Sequence, residues 1–389
     1  MRITDIYERT IPISRYADTS MPSGGLTTSL VAIVTDVIRD GKPIVGFGYS
    51  SVGRFGQGGL LRDRFIPRLM AAPSAALLDR AGTTFEPFRA WEIMMADEKP
   101  GGHGERCVAV GTLDMAIWDV AAKIVQQPLW QFLADRIQRP IVKSPIRVYA
   151  GGGYRYPDND VSKLADEMRA FVDLGFTHAK MKIGADDLHD DLRRIQAAAS
   201  ALGGSDRLAV DAIYRYDLAR GVAAASALAP FALWWFEDIC DPLDFAAQAH
   251  VATLYQPPIA AGEALFSLAE AKLLDAHGGL RRERDILEFD PVHCYGLPGY
   301  LRIVEYLLCK GWPRHAFWPH GGHLFSLHVV AALGLGGMEV NPFAFQPFCG
   351  LADATQITSE GVDLPVVPGI GFELNRAVWQ CFQTVFAGP

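Results

Sequence analysis

Lys182, Asp211, Glu237, Glu263, Asp290 and His320 each end a short apolar run, and they follow one another at separations of 29, 26, 26, 27 and 30 residues. A helix-like stretch comes after every one of them. A period of one strand plus one helix is what a (β/α)8 barrel prints on its sequence, and such barrels keep their chemistry at the C-terminal ends of the strands. A single ladder of residues therefore constrains both the fold and the location of the reactive groups.

The strand–helix beat begins at Ile146-Arg147-Val148-Tyr149-Ala150, followed by Gly151-Gly152-Gly153. A helix is expected over 161–174, with Gly175 as its C-terminal stop. Further helices are expected around 187–202, 217–229, 244–255, 267–277, 298–310 and 324–333, and an eighth strand-like run near 338–345 would close the barrel. Residues 1–140 lack this beat. Their β-branched run 29–38, the turn Asp40-Gly41-Lys42-Pro43 and the run 44–49 read as a β-hairpin. Helical segments around 61–71, 86–95 and 105–125 complete a compact α+β unit. The stretch 351–389 is too rich in loop signals for another βα unit and is expected to pack back on the first domain.

Half of the 389 residues are hydrophobic and 21% are charged, which supplies a large core and argues against extended disorder. A net charge of −8 disfavours nucleic acid or an anionic membrane as partner. A small anion remains compatible, because a metal or a few lysines reverse the sign inside one pocket. The six cysteines are scattered without a C-x-x-C pair, as expected of reduced thiols in a cytoplasmic protein. The start has no signal-like apolar region, and no run reaches the roughly 18 apolar residues of a membrane span. The expected partners are a small carboxylate (acid-sugar) substrate and further copies of the chain, with no nucleic acid and no membrane.

Asp211, Glu237 and Glu263 end three consecutive strand-like runs. Any one of them alone is as easily a solvated residue or a helix N-cap. Three carboxylates converging on one barrel mouth, however, need a cation to stay ionised together. Their oxygens leave coordination positions free, which suits Mg²⁺ with substrate oxygens completing the shell.

Lys180 and Lys182 flank Met181 on the run ending in Lys182, and residues i and i+2 of a strand share a face. Both ammonium groups are expected inside the barrel near the divalent metal, each depressing the other's pKa, and a neutral lysine there is a competent general base. A surface strand with two solvated lysines is disfavoured by the apolar Ala179, Met181 and Ile183. Asp290 and His320 end adjacent strand-like runs, where a carboxylate–imidazole hydrogen bond would fix the tautomer and favour the imidazolium. A lone His is more often structural; the pairing is what favours function. A base on one side of a metal and an Asp–His pair on the other suit abstraction of the proton α to a carboxylate.

With the Lys-x-Lys, the Asp/Glu/Glu set and the Asp…His pair in place, the chain resembles the enolase superfamily, in its mandelate-racemase-like subgroup. Such sites pair a Lys or His base with Mg²⁺. The resemblance implies an α+β capping domain over 1–140, an α/β modified (β/α)7β TIM-type barrel over 141–350, and a segment 351–389 returning to the cap. It also implies that Glu339 contacts the substrate carboxylate. Within the subgroup, Glu98-Lys99-Pro100-Gly101-Gly102-His103-Gly104-Glu105-Arg106, Asp241-Pro242-Leu243-Asp244 and Pro319-His320-Gly321-Gly322-His323 are similar to the tartrate dehydratases. By that likeness Lys182 removes the C2 proton, His320 protonates the departing C3 hydroxyl, and Lys180 helps to hold the substrate carboxylate. Lys99 and His103 are candidates for contact with a substrate carboxylate, or else solvated loop residues.

Two features depart from the subgroup. Ile213 stands where an Asn is usual, followed by Tyr214, and the segment Arg15–Thr27, a specificity element in this family, carries no diacid signature. His323, His328, Trp234 and Trp235 read as structural. Three readings stay open: a dehydratase of a tartrate-like diacid, a racemase, epimerase or dehydratase of a longer aldonic or aldaric acid, and an acid-binding barrel without turnover.

Overall fold

A computed structural model describes residues 1–52, 56–141, 145–185 and 187–386. Three antiparallel strands open the chain: β1 (Ile3–Pro12), β2 (Thr27–Arg39) and β3 (Lys42–Tyr49), in the order β1-β2-β3. The helix Glu105–Ile124 lies across them, buried on nearly every side. It comes that close because β3 presents glycines: a Cβ on Gly46 would stand 2.3 Å from the Ala116 carbonyl oxygen, and one on Gly48 2.5 Å from that of Thr112.

The expected helix over 61–71 is longer and interrupted. It runs through Gln57–Leu60, a π-helical turn at Leu61–Phe65 and Ile66–Ala71. The wide turn lies just ahead of Pro67, which has no N–H to donate. A helix missing from the sequence reading, Leu129–Arg136, starts directly after Pro128.

Seven parallel strands form the second sheet: β4 (Val148–Gly151), β5 (Ala179–Lys182), β6 (Leu208–Asp211), β7 (Phe236–Glu237), β8 (Ile259–Ala261), β9 (Ile286–Leu287) and β10 (Met338–Val340). Their order, β10-β4-β5-β6-β7-β8-β9, is a sheet curled nearly into a cylinder. The stave expected to end in His320 is reduced to one bridge, Leu287 to Phe317. It still closes the wall, since Trp318 N–H donates to the Leu287 carbonyl and Gly336 N–H to that of Phe317. Inside, Tyr149, Trp235 and Trp318 pack with ring centroids 5.0 to 6.0 Å apart and fill the barrel below the mouth.

The C-terminal segment pairs Val362 with Ile146 and then returns to the first sheet. There Trp379, Phe382 and Phe386 surround Phe47. Among the described residues no helix is long and apolar enough to cross a membrane.

Candidate active site

Parallel register sets the reactive residues side by side. Lys182 pairs with Asp211, Asp211 with Glu237, and Glu237 with Ala260, three residues short of Glu263. Side chains that end adjacent strands at one level point into one space. That space is a cavity of about 510 Å³, whose wall includes Lys182, Asp211, Glu263 and His320.

Oxygens of Asp211, Glu237, Glu263 and also Asp238 lie within 4.8 Å of one another. Asp238 follows Glu237 directly, and on an extended strand it would face outward. Its left-handed backbone, φ 50°, ends the strand and turns its carboxylate back into the cluster. Both of its oxygens are buried without a hydrogen-bond partner. Asp211 Oδ1 accepts from Ile213 N–H at 2.7 Å and Glu237 Oε2 from Trp235 Nε1–H at 2.8 Å.

Lys180 Nζ lies 2.5 Å from Glu237 Oε1 and 3.3 Å from Glu339 Oε1. Lys182 is in contact with Asp211. Two ammonium groups thus face six carboxyl groups, those named and Glu288, whose Oε1 accepts from Tyr149 at 3.2 Å. Burial together with the neighbouring carboxylates pushes Asp238 and Glu288 well above the usual carboxylate range, and Glu237 upward. Such an excess of buried negative charge, with orphaned oxygens, is what a divalent cation satisfies. The residues therefore fit a Mg²⁺-type ion.

Without a cation in the cluster, both lysines are held charged. Burial works against both ammonium groups, but Asp211 at Lys182 and Glu237 at Lys180 outweigh it and raise both pKa values well above the ordinary amine value. Mutual repulsion is the smaller effect, because each lysine touches a carboxylate and only faces the other.

Across the mouth, His320 Nδ1 donates to Asp290 Oδ2 at 3.0 Å, while Nε2 stands 3.3 Å from Glu263 Oε2. Asp290 is buried and also accepts from Ser51 Oγ at 2.6 Å and Val292 N–H at 2.7 Å. Burial works against its ionised form, but the imidazoles of His293, His320 and His323 outweigh it and hold it below the usual carboxylate range. Burial works against the His320 imidazolium, but Glu263 and Asp290 outweigh it and raise the pKa to about 9.

Lys180, Lys182, Asp211, Glu237, Glu263, Asp290, His320 and Glu339 thus converge at or just below the mouth. Lys99 and His103 do not. Lys99 is exposed, and His103 Nδ1 bonds the Tyr295 hydroxyl at 3.0 Å, held there by the Arg106 guanidinium that bonds the same hydroxyl. Sequence reasoning missed Asp238, Glu288, Ser51 and Tyr154, which stands 5.5 Å from Lys182 Nζ across its ring face. Only Glu288 carried a readable signal, since it shares a strand face with Asp290.

Barrel, cap and acid cluster together define the class, a capped TIM-type barrel with a divalent-metal site at its mouth. The profile of the family described as Enolase C-terminal domain-like matches residues 163–378, more than half of the chain, and the chain belongs to that family. A 3,6-anhydro-alpha-L-galactonate cycloisomerase of Streptomyces coelicolor is 27% identical over 96% of both chains. An arabinonate dehydratase of Saccharolobus solfataricus is 26% identical over 75% of this chain and 77% of its own. Among solved structures, a Streptomyces coelicolor racemase with bound magnesium superposes with a TM-score of 0.76 at 24% identity, covering 96% of this chain and 99% of that one. L-talarate dehydratase from Polaromonas, complexed with Mg and L-glucarate, gives 0.74 at 23%, covering 95% and 94%. These structures share the fold. The curated relatives are dehydratases and cycloisomerases, and this chain is an enzyme of the same superfamily.

Proposed function

We propose that this chain is a Mg²⁺-dependent acid-sugar dehydratase that prefers a tartrate-like diacid. The observation that carries the reading is the placing of two proton-transfer groups on opposite flanks of one carboxylate cluster, Lys182 against Asp211 and His320 against Glu263. When bound by Asp211, Glu237 and Glu263, with Asp238 beside them, the cation supplies positive charge to the oxygens of the substrate carboxylate.

Lys182, as the free amine, takes the proton from the carbon next to that carboxylate, and the C–H electron pair moves into an enediolate. Lys180, kept charged by Glu237 and Glu339, faces the developing negative charge. His320, hydrogen-bonded to Asp290, gives its proton to the hydroxyl on the next carbon as that C–O bond breaks. Water leaves, and the resulting enol tautomerises to a 2-oxo acid. Glu339 is held ionised, its pKa lowered to about 2, because Lys180 and His320 outweigh its burial. In that state it accepts from a substrate hydroxyl and repels a carboxylate, so its suggested contact is with a hydroxyl.

Arg15 lines the same cavity, and its buried Nε has no hydrogen-bond partner. A guanidinium at the rim supports a second carboxylate on the substrate.

The test is Mg²⁺-dependent dehydration across four- to six-carbon aldonic and aldaric acids, with α-proton exchange followed in D₂O. Lys182→Ala is expected to abolish exchange and leave Mg²⁺ affinity nearly intact; turnover retained in that variant refutes the base assignment. His320→Asn is expected to lose dehydration and keep exchange. Inversion without water loss in the unaltered enzyme would instead support the second reading, racemisation or epimerisation, for which two flanking groups suffice.

A further inference from the structure

The chain after Asp211 is held in an unusual shape. Ile213 has φ 49° and Tyr214 φ 58°, the one adjacent pair of non-glycine residues with positive φ among those described, and Ile213 is the one β-branched residue so placed. L-residues with branched or large side chains are strained there, whereas Gly and Asn are at ease. The turn is pinned from both sides: Ile213 N–H donates to Asp211 Oδ1 at 2.7 Å and Tyr214 N–H to the Asp238 carbonyl at 2.7 Å. Strain of this kind persists where the surroundings enforce it, and it gathers at functional sites.

Both side chains line the cavity that holds Lys182, Glu263 and His320. The Tyr214 ring is half-buried, but its hydroxyl is fully buried, beside Asp238 and close to Glu263 and Asp211. The ring therefore reaches from the cavity wall to the acid cluster, where it takes up space beside the metal site.

We propose that Tyr214 is a specificity-determining residue, a wall that admits four-carbon diacids to the metal site and excludes six-carbon ones. This rests on the acid-sugar reading above and adds chain length to it. The wall comes at the cost of an unfavourable backbone, which a Gly at this position would avoid.

The test compares the unaltered enzyme with Tyr214→Gly and Tyr214→Phe, loaded with Mg²⁺. Binding of tartrate and of galactarate is measured by calorimetry, and turnover of each is measured separately. Glycine adopts φ 58° freely, so Tyr214→Gly keeps the turn. It is expected to raise the galactarate-to-tartrate binding ratio by about 100-fold, the discrimination a misfit of a few atoms can produce. Tyr214→Phe keeps the ring and is expected to leave the ratio unchanged. A ratio unchanged in Tyr214→Gly overturns the wall. A raised ratio without turnover of either acid upholds the wall and overturns the dehydratase reading. Failure of both acids to bind either protein overturns both.

Discussion

His328 makes a stability prediction that depends on neither metal nor substrate. It is fully buried in the helix Leu324–Leu333, where its Nε2–H donates to the Ile370 carbonyl at 2.8 Å. Its Nδ1 accepts from Trp130 N–H at 3.1 Å, a first-turn amide of the helix Leu129–Arg136 that has no intrahelical acceptor. One ring thus joins a barrel helix, the first domain and the C-terminal return, and only as the neutral tautomer, because a proton on Nδ1 would confront the Trp130 N–H. Burial lowers the pKa from 6.5 to about 4, the bond to Ile370 opposing it only in part. Since the folded value is the lower one, the unfolded chain takes up the proton first as pH falls. Stability from this group is complete above about pH 6.5 and is lost progressively down to about pH 4, for a total of about 3 kcal/mol. The comparison is with His328→Gln, whose amide offers the same acceptor and donor but does not titrate. Urea unfolding of both proteins between about pH 8 and about pH 4 should show the unaltered protein losing about 3 kcal/mol relative to the variant, with all other titrations cancelling in the difference. Parallel curves would refute the neutral-lock account.

Two further perturbations probe the site. Ser51→Ala removes one donor from the buried Asp290 carboxylate and should lower unfolding stability by roughly 1.5–3 kcal/mol, read from denaturant midpoints at neutral pH. Gly151→Ala places a Cβ 2.3 Å from both Glu339 Oε1 and Asn341 Oδ1, so Glu339 must leave Lys180; turnover should fall steeply while Mg²⁺ affinity, measured by titration calorimetry, stays close to the unaltered value.

What the sequence showed and what it concealed differ by physical cause. Lys182, Asp211 and Glu237 were legible because each ends an apolar run, and parallel register then sets strand ends level. Asp238 was concealed by the alternation rule itself, which sends the neighbour of an inward Glu237 outward; only its left-handed backbone reverses that. Ser51 reaches Asp290 across 239 residues, and no local pattern encodes such a contact. The loop carrying Lys99 and His103 shows the opposite error. Its likeness to related loops was readable, but its position was decided by the bonds of His103 and Arg106 to Tyr295, far along the chain. The raised lysine pKa values belong with these, since like-charge repulsion is visible in a Lys-x-Lys motif and the contacting carboxylates are not.

Those contacts also separate the two lysines, which sequence alone treats as equivalent. They leave one strand face two residues apart and so stand at different depths. Lys180 is the deeper, its side chain 1% exposed, 5.7 Å from the Tyr149 ring centroid and bound by both Glu237 and Glu339. Lys182 is 13% exposed, lines the cavity and is paired with Asp211 alone among the described residues. Engaging Asp211 elsewhere, as with a divalent cation, strips Lys182 of the carboxylate that pins its proton, whereas Lys180 keeps Glu339. Metal loading should therefore lower the affinity of Lys182 for its proton far more than that of Lys180. In the proposed reaction this assigns proton transfer to the outer lysine and fixed positive charge to the inner one, a division set by depth in the barrel rather than by residue type.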